Sequence, residues 1–577
     1  MSWFLKLVHT KETANYPGVL IPLQQVQRYQ PVDSEPEVKP DDGAADDEDD
    51  QPLLPGDTWD LGSLKAEIEK ELAESGKDSP YERKSRVINR AIQDVGMGRY
   101  QWELFTLCGM GWLADNLWMQ LEGLALVLPR LAVDFGVSEN DVRYTTMITF
   151  IGLSIGSTFW GIASDLIGRR PAFNMTLFLC GAFGFAAAFG PNWPGTAALF
   201  LCMGLGVGGN LPVDGALFLE FLPFESNNLL TLLSVWWPVG QLIASLVAWA
   251  VIPPFSCDTK LESCVLTNGE QPCCAREDNR GWRYFIGILG IMTFLMFICR
   301  FFLFRLYESP KLLLSRGRQD EAVAVVHGIA HHNKAKTWLT EEILNAVGGH
   351  PEAQSLTQTA AEIAKSKTNA LSWQVMKPLF QGWRLAVTTI LIWIIWATIG
   401  MAYPLFNAFL PQYLAKSGKD QAPVSTQTVY RNYFITSAAG VPGSIIACWT
   451  VDIKYVGRKG TMAISTLFSA IFLYLFTAST TPAYQTFCSA AEAFWQNIMY
   501  GVLYAYTPEV FPAPNRGTAT GIASLLNRIT GICAPIVAAN SGIKDPLAPI
   551  LAAGAIYLVS FVATVFLPIE TRGQQSL

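Results

Sequence analysis

Twelve stretches of about 20 predominantly apolar residues, most of them joined by short polar turns, constrain this chain most, because each is long enough to cross a bilayer as a helix. They cover residues 104–128, 144–163, 172–190, 196–219, 229–252, 283–305, 383–403, 431–451, 461–479, 484–504, 518–538 and 547–567. In hydrocarbon, backbone polar groups find no water, so these segments must satisfy them internally as helices. Of 577 residues 50% are hydrophobic and 15% charged, and the charge gathers in the two ends and one central stretch. The expected fold is therefore all-α, a polytopic membrane protein with twelve transmembrane helices. The net charge of −7 reflects an acidic run at 41–50, and no basic patch points to a nucleic-acid partner.

The polar segments divide the chain. Residues 1–100 read as a disordered acidic tail ending in a short amphipathic segment, with a helix over 64–75. Residues 101–306 and 383–567 form two six-helix bundles, 307–382 a linker with amphipathic helices at 312–332 and 341–347, and 568–577 a second tail. Residues 1–30 hold no apolar core followed by a small-residue cleavage site, so insertion is expected to rest on the first span. If the N-terminus is cytoplasmic, Arg169, Arg170, Lys454, Arg458, Lys459 and Arg516 all fall in short cytoplasmic connections, while the loops at 191–195 and 480–483 carry no Lys or Arg. The same orientation sends Cys257, Cys264, Cys273 and Cys274, crowded into one polar loop, to an oxidising side where disulfides form. That loop has no histidine and lacks paired metal-ligand spacing, so zinc is the poorer reading.

One turn punctuates each half. Gly161, Asp165, Gly168, Arg169 and Arg170 follow the pattern G-x-x-x-D-x-x-G-R-R, with one helix expected to end near Ala163 and the next to start near Pro171. A degenerate copy holds Asp452, Lys454, Gly457, Arg458 and Lys459. Glu220-x-x-Pro223 is echoed by Glu509-x-x-Pro512, and Glu308-Ser-Pro by Glu570-Thr-Arg. This order and spacing resembles the major facilitator superfamily of secondary transporters. With Arg516-Gly517 and Pro568-Ile-Glu570-Thr-Arg-Gly573 it looks like the sugar-porter branch, while residues 91–101, Ala114-Asp115 and Gly206-Val-Gly208-Gly209 are more similar to the synaptic-vesicle-protein-related group, which also contains organic-ion carriers. The resemblance implies two pseudo-symmetric six-helix bundles that rock about a central site. Asp165, Arg169, Arg170 and Glu220, and Asp452, Arg458, Glu509 and Arg516, would then form two cytoplasmic charge clusters that hold the outward-open state.

Ionisable residues deep in spans are costly, so each asks for a reason. Asp115 and Glu122 lie about two turns apart on the first span and are the proton-coupling candidates; the alternative is a static pair with a neighbouring helix. All histidines except His9 sit in the linker, which leaves carboxylates to carry a proton. Arg528 beside Asn527 cannot shed its charge, and either anchors an anionic solute or pairs permanently with Glu492, its nearest partner in sequence terms. Asp214 is open to the same two readings. Amide and aromatic residues at helical spacing, Trp396, Gly400, Tyr403 and Asn407 on the seventh span and Trp237, Gln241 and Ser245 on the fifth, either stack and hydrogen-bond a ring-shaped solute or, for the aromatic residues, form an interfacial belt or pack helices, while Gln496 shares a face with Glu492, Trp495 and Met499. The glycines Gly204, Gly206, Gly208 and Gly209 lack the strand-turn-helix context of a nucleotide loop and suit close helix packing.

The expected activity is alternating-access transport of a small organic solute, coupled to protons, with an aromatic or short carboxylate slightly preferred over a sugar or polyol. A membrane receptor or trafficking protein is the rival of another class. No enzymatic activity, metal or cofactor is expected. The lipid bilayer is a partner, and the acidic dileucine-like run 49–54 is either a chance Leu53-Leu54 or a site for a sorting adaptor that directs the chain to endosomal or vacuolar rather than plasma membrane.

Overall fold

The computed structural model describes residues 16–23, 60–75, 79–118, 122–223, 228–258, 261–267, 272–304, 306–350, 376–415, 425–451, 453, 456–479, 481–511, 516–541 and 547–571. Among these residues the secondary structure is helical, with two isolated bridges, Leu20 to Thr337 and Ser263 to Cys274, in place of any sheet. The helices are α1 (Leu61–Ser75), α2 (Pro80–Val95), α3 (Arg99–Trp118), α4 (Glu122–Phe135), α5 (Tyr144–Ile167), α6 (Arg169–Ala187), α7 (Trp193–Val207) and α8 (Asn210–Phe221). They continue with α9 (Asn228–Leu233), α10 (Trp236–Val251), α11 (Gly281–Ile298), α12 (Pro310–Ser315), α13 (Gln319–His332) and α14 (Glu341–Gly348). The last are α15 (Trp383–Asn407), α16 (Leu410–Ala415), α17 (Thr426–Thr450), α18 (Gly457–Ala478), α19 (Pro482–Val510), α20 (Arg516–Ser541) and α21 (Ala548–Val565). Among the described residues, six helical stretches are long and apolar enough to cross a membrane by length and composition: Trp193–Phe221, Gly281–Phe302, Trp383–Asn407, Gly457–Ala478, Ala519–Asn540 and Ala548–Val565.

Two compact units emerge. The larger holds 103–219, 227–306 and 360–577. Within it α5 packs on α7, and α6 on both α7 and α11. The second half repeats the scheme, with α17 on α19, and α18 on both α19 and α21. The halves meet where α5 lies against α20 and α10 against α17, two equivalent pairs related by the duplication. The turn glycines are equivalent too: Gly168 (φ 115°) and Gly457 (φ 60°) both adopt positive φ, which a side chain would strain. α5 runs on to Ile167 and α6 begins at Arg169, so the turn is one residue long and tighter than the expected break between Ala163 and Pro171.

Small residues let α5 and α7 approach closely. A Cβ on Gly204 would meet the Thr149 carbonyl at 2.7 Å, and Gly152, Gly156 and Gly208 likewise face backbone atoms of the partner helix. Lipid offers no hydrophobic drive between helices, so such backbone contact is what holds this pair.

At one end of this unit, two disulfides, Cys257–Cys274 and Cys264–Cys273, fold the long loop between α10 and α11. The loop carries Arg276, which with Arg283 clasps the Asp134 carboxylate at 3.3 and 2.9 Å.

The smaller unit holds 1–102, 220–226 and 307–359. Side-chain caps start its helices: Ser79 Oγ accepts from Glu82 N at 3.2 Å, and Thr340 Oγ1 from Ile343 N at 3.4 Å. The Trp338 indole donates to Asp94 Oδ2 at 2.7 Å, and Lys84 to Gln319 Oε1 at 2.7 Å.

Candidate functional site

Asp115 and Arg528 border one cavity inside the larger unit. It is a tight cavity of about 60 Å³, and both halves of the duplication line it. α3 contributes Asp115, α5 Phe150 and Leu153, α7 and α8 Val207 and Leu211. The second half supplies Gly400, Tyr403 and Pro404 from α15, Tyr500 and Tyr504 from α19, and Ser524, Asn527 and Arg528 from α20. A Cβ at Gly400 would strike Asn527 at 2.5 Å, so the glycine is what lets α15 and α20 close up. Asn527 Nδ2 then donates to the Trp396 carbonyl at 3.0 Å and fixes the register that holds Arg528 at the cavity.

The two charged groups are sealed from solvent, Asp115 at 4% and Arg528 at 6% exposure. Asp115 Oδ1 accepts from Asn210 Nδ2 at 3.0 Å, while Asp115 Oδ2 and Arg528 Nε are buried without a hydrogen-bond partner. A buried charged group left unsatisfied costs upwards of about 1–3 kcal/mol, so atoms kept in that condition beside a cavity are suited to meet a ligand. Phe150, Tyr403, Tyr500 and Tyr504 give the cavity aromatic walls, and further rings stand behind Tyr504. Trp112 stacks on Trp237 at 4.6 Å between centroids, and Tyr504 packs edge-on against Trp237 at 4.6 Å and Trp396 at 4.8 Å. Such faces and edges hold a flat ring, and the Arg528 guanidinium offers a planar fork to a carboxylate.

The candidates predicted from sequence separate into groups. Arg528 and Asn527 line the cavity with Asp115. Glu492 does not pair with Arg528: its Oε1 accepts from Gln496 Nε2 at 2.8 Å, and no hydrogen bond or ion pair joins it to Arg528 among the described residues. Gln496 also donates to the Tyr557 hydroxyl at 2.8 Å and accepts from Asn407 at 3.4 Å, so Glu492, Gln496 and Asn407 form a separate buried network. Trp396 presents its ring to Tyr504 and gives its N–H to Thr507 Oγ1 at 2.9 Å. Gln241 is buried on α10 away from the cavity lining. Asp214 is bound to Arg300 at 2.6 Å, with both side chains fully buried. Glu122 opens α4, and its side chain, like that of Asp165, lies outside the described residues.

Sequence reasoning passed over Arg300 and Asn210. Arg300 sits in the π-helical turn Cys299–Leu303, donates to the Leu107 and Phe173 carbonyls as well as to Asp214, and lies 3.4 Å from the Phe173 ring centre. Asn210 was hidden behind a glycine run whose composition signalled packing.

Of the charge clusters, Arg458 pairs with Glu509, and the backbone N–H groups of Arg458 and Lys459 each donate to the Glu570 carboxylate at 3.1 Å, which caps the start of α18. Asp452 and the side chain of Arg516 lie outside the described residues, as does the 49–54 run. Arg169 and Arg170 open α6, and Glu220 stands near the end of α8.

At the disulfide-loop end the halves are latched across their seam. Arg130, held within its own half by the Cys257 carbonyl at 3.1 Å, donates across to Thr426 Oγ1, Tyr430 donates to the Leu126 carbonyl at 2.6 Å, and Arg143 donates to the Ala538 carbonyl.

The sequence profile of the Major Facilitator Superfamily matches residues 117–452 and 432–576. An MFS siderochrome iron transporter of Ceriporiopsis subvermispora is 40% identical over 500 residues, 87% of this chain and 93% of that protein. A niacin transporter of Acinetobacter baylyi is 28% identical over 486 residues, 84% of this chain and 97% of its own. Among solved structures, the proton:xylose symporter XylE of E. coli superposes with a TM-score of 0.57 at 19% identity, covering 83% of this chain and 98% of that one.

Proposed function

Because the chain belongs to the major facilitator superfamily, and is therefore an integral membrane transporter and not an enzyme, we propose that it carries a small organic anion, with a flat ring or short chain, by proton-coupled alternating access. Arg528 anchors the carboxylate, the rings of Tyr403, Tyr500 and Tyr504 border the solute, and Asp115 takes up and releases the coupled proton. The observation that carries this reading is the cavity itself, where an acid and a base with unsatisfied polar atoms face one another's half of the duplication among aromatic rings. The niacin that one relative is named for is a ring carboxylate, a chemistry that a guanidinium beside tyrosine rings suits.

In this reading the twelve apolar segments all span the bilayer, both termini and the 307–382 linker are cytoplasmic, and the disulfide loop faces the oxidising side of a plasma, endosomal or vacuolar membrane. The charge clusters around Arg458 and Arg169 break as the halves rock.

The test is uptake into proteoliposomes of radiolabelled nicotinate and benzoate under an inward proton gradient, with xylose as the neutral control. Arg528→Met removes one charge-assisted contact of about 1.5–3 kcal/mol, so anion uptake is expected to drop at least about tenfold with the protein still in the membrane. Normal anion uptake in that variant, or uptake of xylose alone by the parent protein, would remove the anion reading.

A further inference from the structure

The Asp115 carboxyl and the Asn210 amide make one hydrogen bond where their chemistry offers two. Asn210 Nδ2 donates to Asp115 Oδ1 at 3.0 Å and reaches the Gly111 carbonyl at 3.4 Å. Asp115 Oδ2 and Asn210 Oδ1 are each buried with no hydrogen-bond partner, and Asn210 is fully sealed. An ionised carboxylate only accepts and an amide oxygen only accepts, so these two atoms cannot satisfy each other. A single proton removes the conflict. Delivered from the cavity to one carboxyl oxygen, it forms an O–H that can donate to Asn210 Oδ1 while the amide N–H still donates to the other carboxyl oxygen.

We propose that Asn210 is the residue that reads the protonation state of Asp115, giving one hydrogen bond to the carboxylate and exchanging two, one in each direction, with the carboxylic acid. Asn210 is placed to pass that change on. It is the first residue of α8, directly after the Gly208-Gly209 break that separates α8 from α7, and one turn before Asp214. A tighter acid–amide pair draws the start of α8 toward α3, at the point where the fourth span is already interrupted. Helix α8 also carries Asp214, locked to Arg300, so the movement engages a buried ion pair and not a free side chain.

The groups that act electrostatically on Asp115 come from every side. They are Asp214 on α8, Arg300 after α11, Arg528 and Tyr504 from the second half, and Cys180 on α6. Arg300 is committed to Asp214 and two backbone carbonyls, while Arg528 shares the cavity with Asp115. Asn210 is thus a positioning residue, since it touches the coupling carboxyl and does not line the cavity.

The inference rests on the reading that Asp115 carries the coupled proton, and the experiment separates the two. Full-length protein in lipid is taken through a pH titration by infrared difference spectroscopy, and nicotinate uptake is measured over the same range. The parent protein is expected to show a carboxylic-acid C=O band that Asp115→Asn abolishes. Asn210→Leu should keep that band but shift it to the higher wavenumber of an acid without a partner, and should flatten the pH profile of maximal uptake while KM moves less than about threefold. Asn210→Ser, whose hydroxyl can donate and accept, should restore band position and profile part of the way, and it decides the matter if the Leu variant does not fold. A band and pH profile in Asn210→Leu that coincide with the parent, while Asp115→Asn loses the band, would overturn the role of Asn210 and leave proton coupling standing. A parent-like spectrum and profile in Asp115→Asn would instead bring down the coupling reading, and this inference with it.

Discussion

Arg300 holds the first half together through one fully buried cation, and its removal has a calculable cost. The side chain donates to Asp214 at 2.6 Å, to the Leu107 carbonyl at 2.8 and 3.0 Å and to the Phe173 carbonyl at 2.8 Å, linking α3, α6, α8 and the end of α11. Arg300→Met keeps the volume but strands Asp214 as an uncompensated charge, which costs about 3–5 kcal/mol. At about 2 °C per kcal/mol for a large domain, the melting point should fall by roughly 6–10 °C. The assay is thermal unfolding of purified protein at one fixed scan rate, because membrane proteins of this size seldom unfold reversibly. Most of the loss comes from the orphaned partner, so the double variant Arg300→Met with Asp214→Leu should recover more than half of it. A double variant whose loss equals the sum of the two single losses would refute the claim that the pair acts as one unit.

The Asp94 carboxyl, in the smaller unit, is pushed up by burial, against the smaller opposing effects of the Trp338 hydrogen bond and Arg90. A carboxyl whose folded pKa exceeds its unfolded value costs stability as pH rises above the unfolded value of 3.8; Asp94→Asn should therefore show a flatter decline in stability from pH about 4 upward, and identical pH slopes would contradict this. Arg143→Gln removes the guanidinium hydrogen bond to the Ala538 carbonyl across the seam and should favour opening at the disulfide-loop end by roughly tenfold, read as faster labelling from that face of a cavity thiol introduced by Ser524→Cys; an unchanged rate would show that the latch does not gate.

Much of this architecture is legible in hydropathy because a bilayer tolerates so few alternatives, and the duplicated turns announce the two halves before any packing is known. Gly168 and Gly457 stand at matching points of the two motif copies, and both take positive φ. The cavity was legible in part. Asp115 and Arg528 stand out because charge in an apolar span has no other excuse. Which charges meet is another matter, since neighbours in sequence are not neighbours across a bundle. Glu492 looked like the partner of Arg528, yet its bond runs to Gln496 one turn along the same helix, an i, i+4 spacing that sequence could have offered. Arg300 escaped notice because a cation near the end of an apolar span reads as one that reaches for the interface, whereas here the π-helical turn directs it inward.

The most direct measurement of the central claim uses Ser524→Cys, a thiol placed in the cavity lining, in sealed vesicles exposed to a membrane-impermeant thiol reagent from one face or the other, with labelling counted above that of the parent protein. Alternating access predicts that the added thiol reacts from both faces and that nicotinate slows both reactions. Labelling from a single face under every gradient and ligand condition would contradict it.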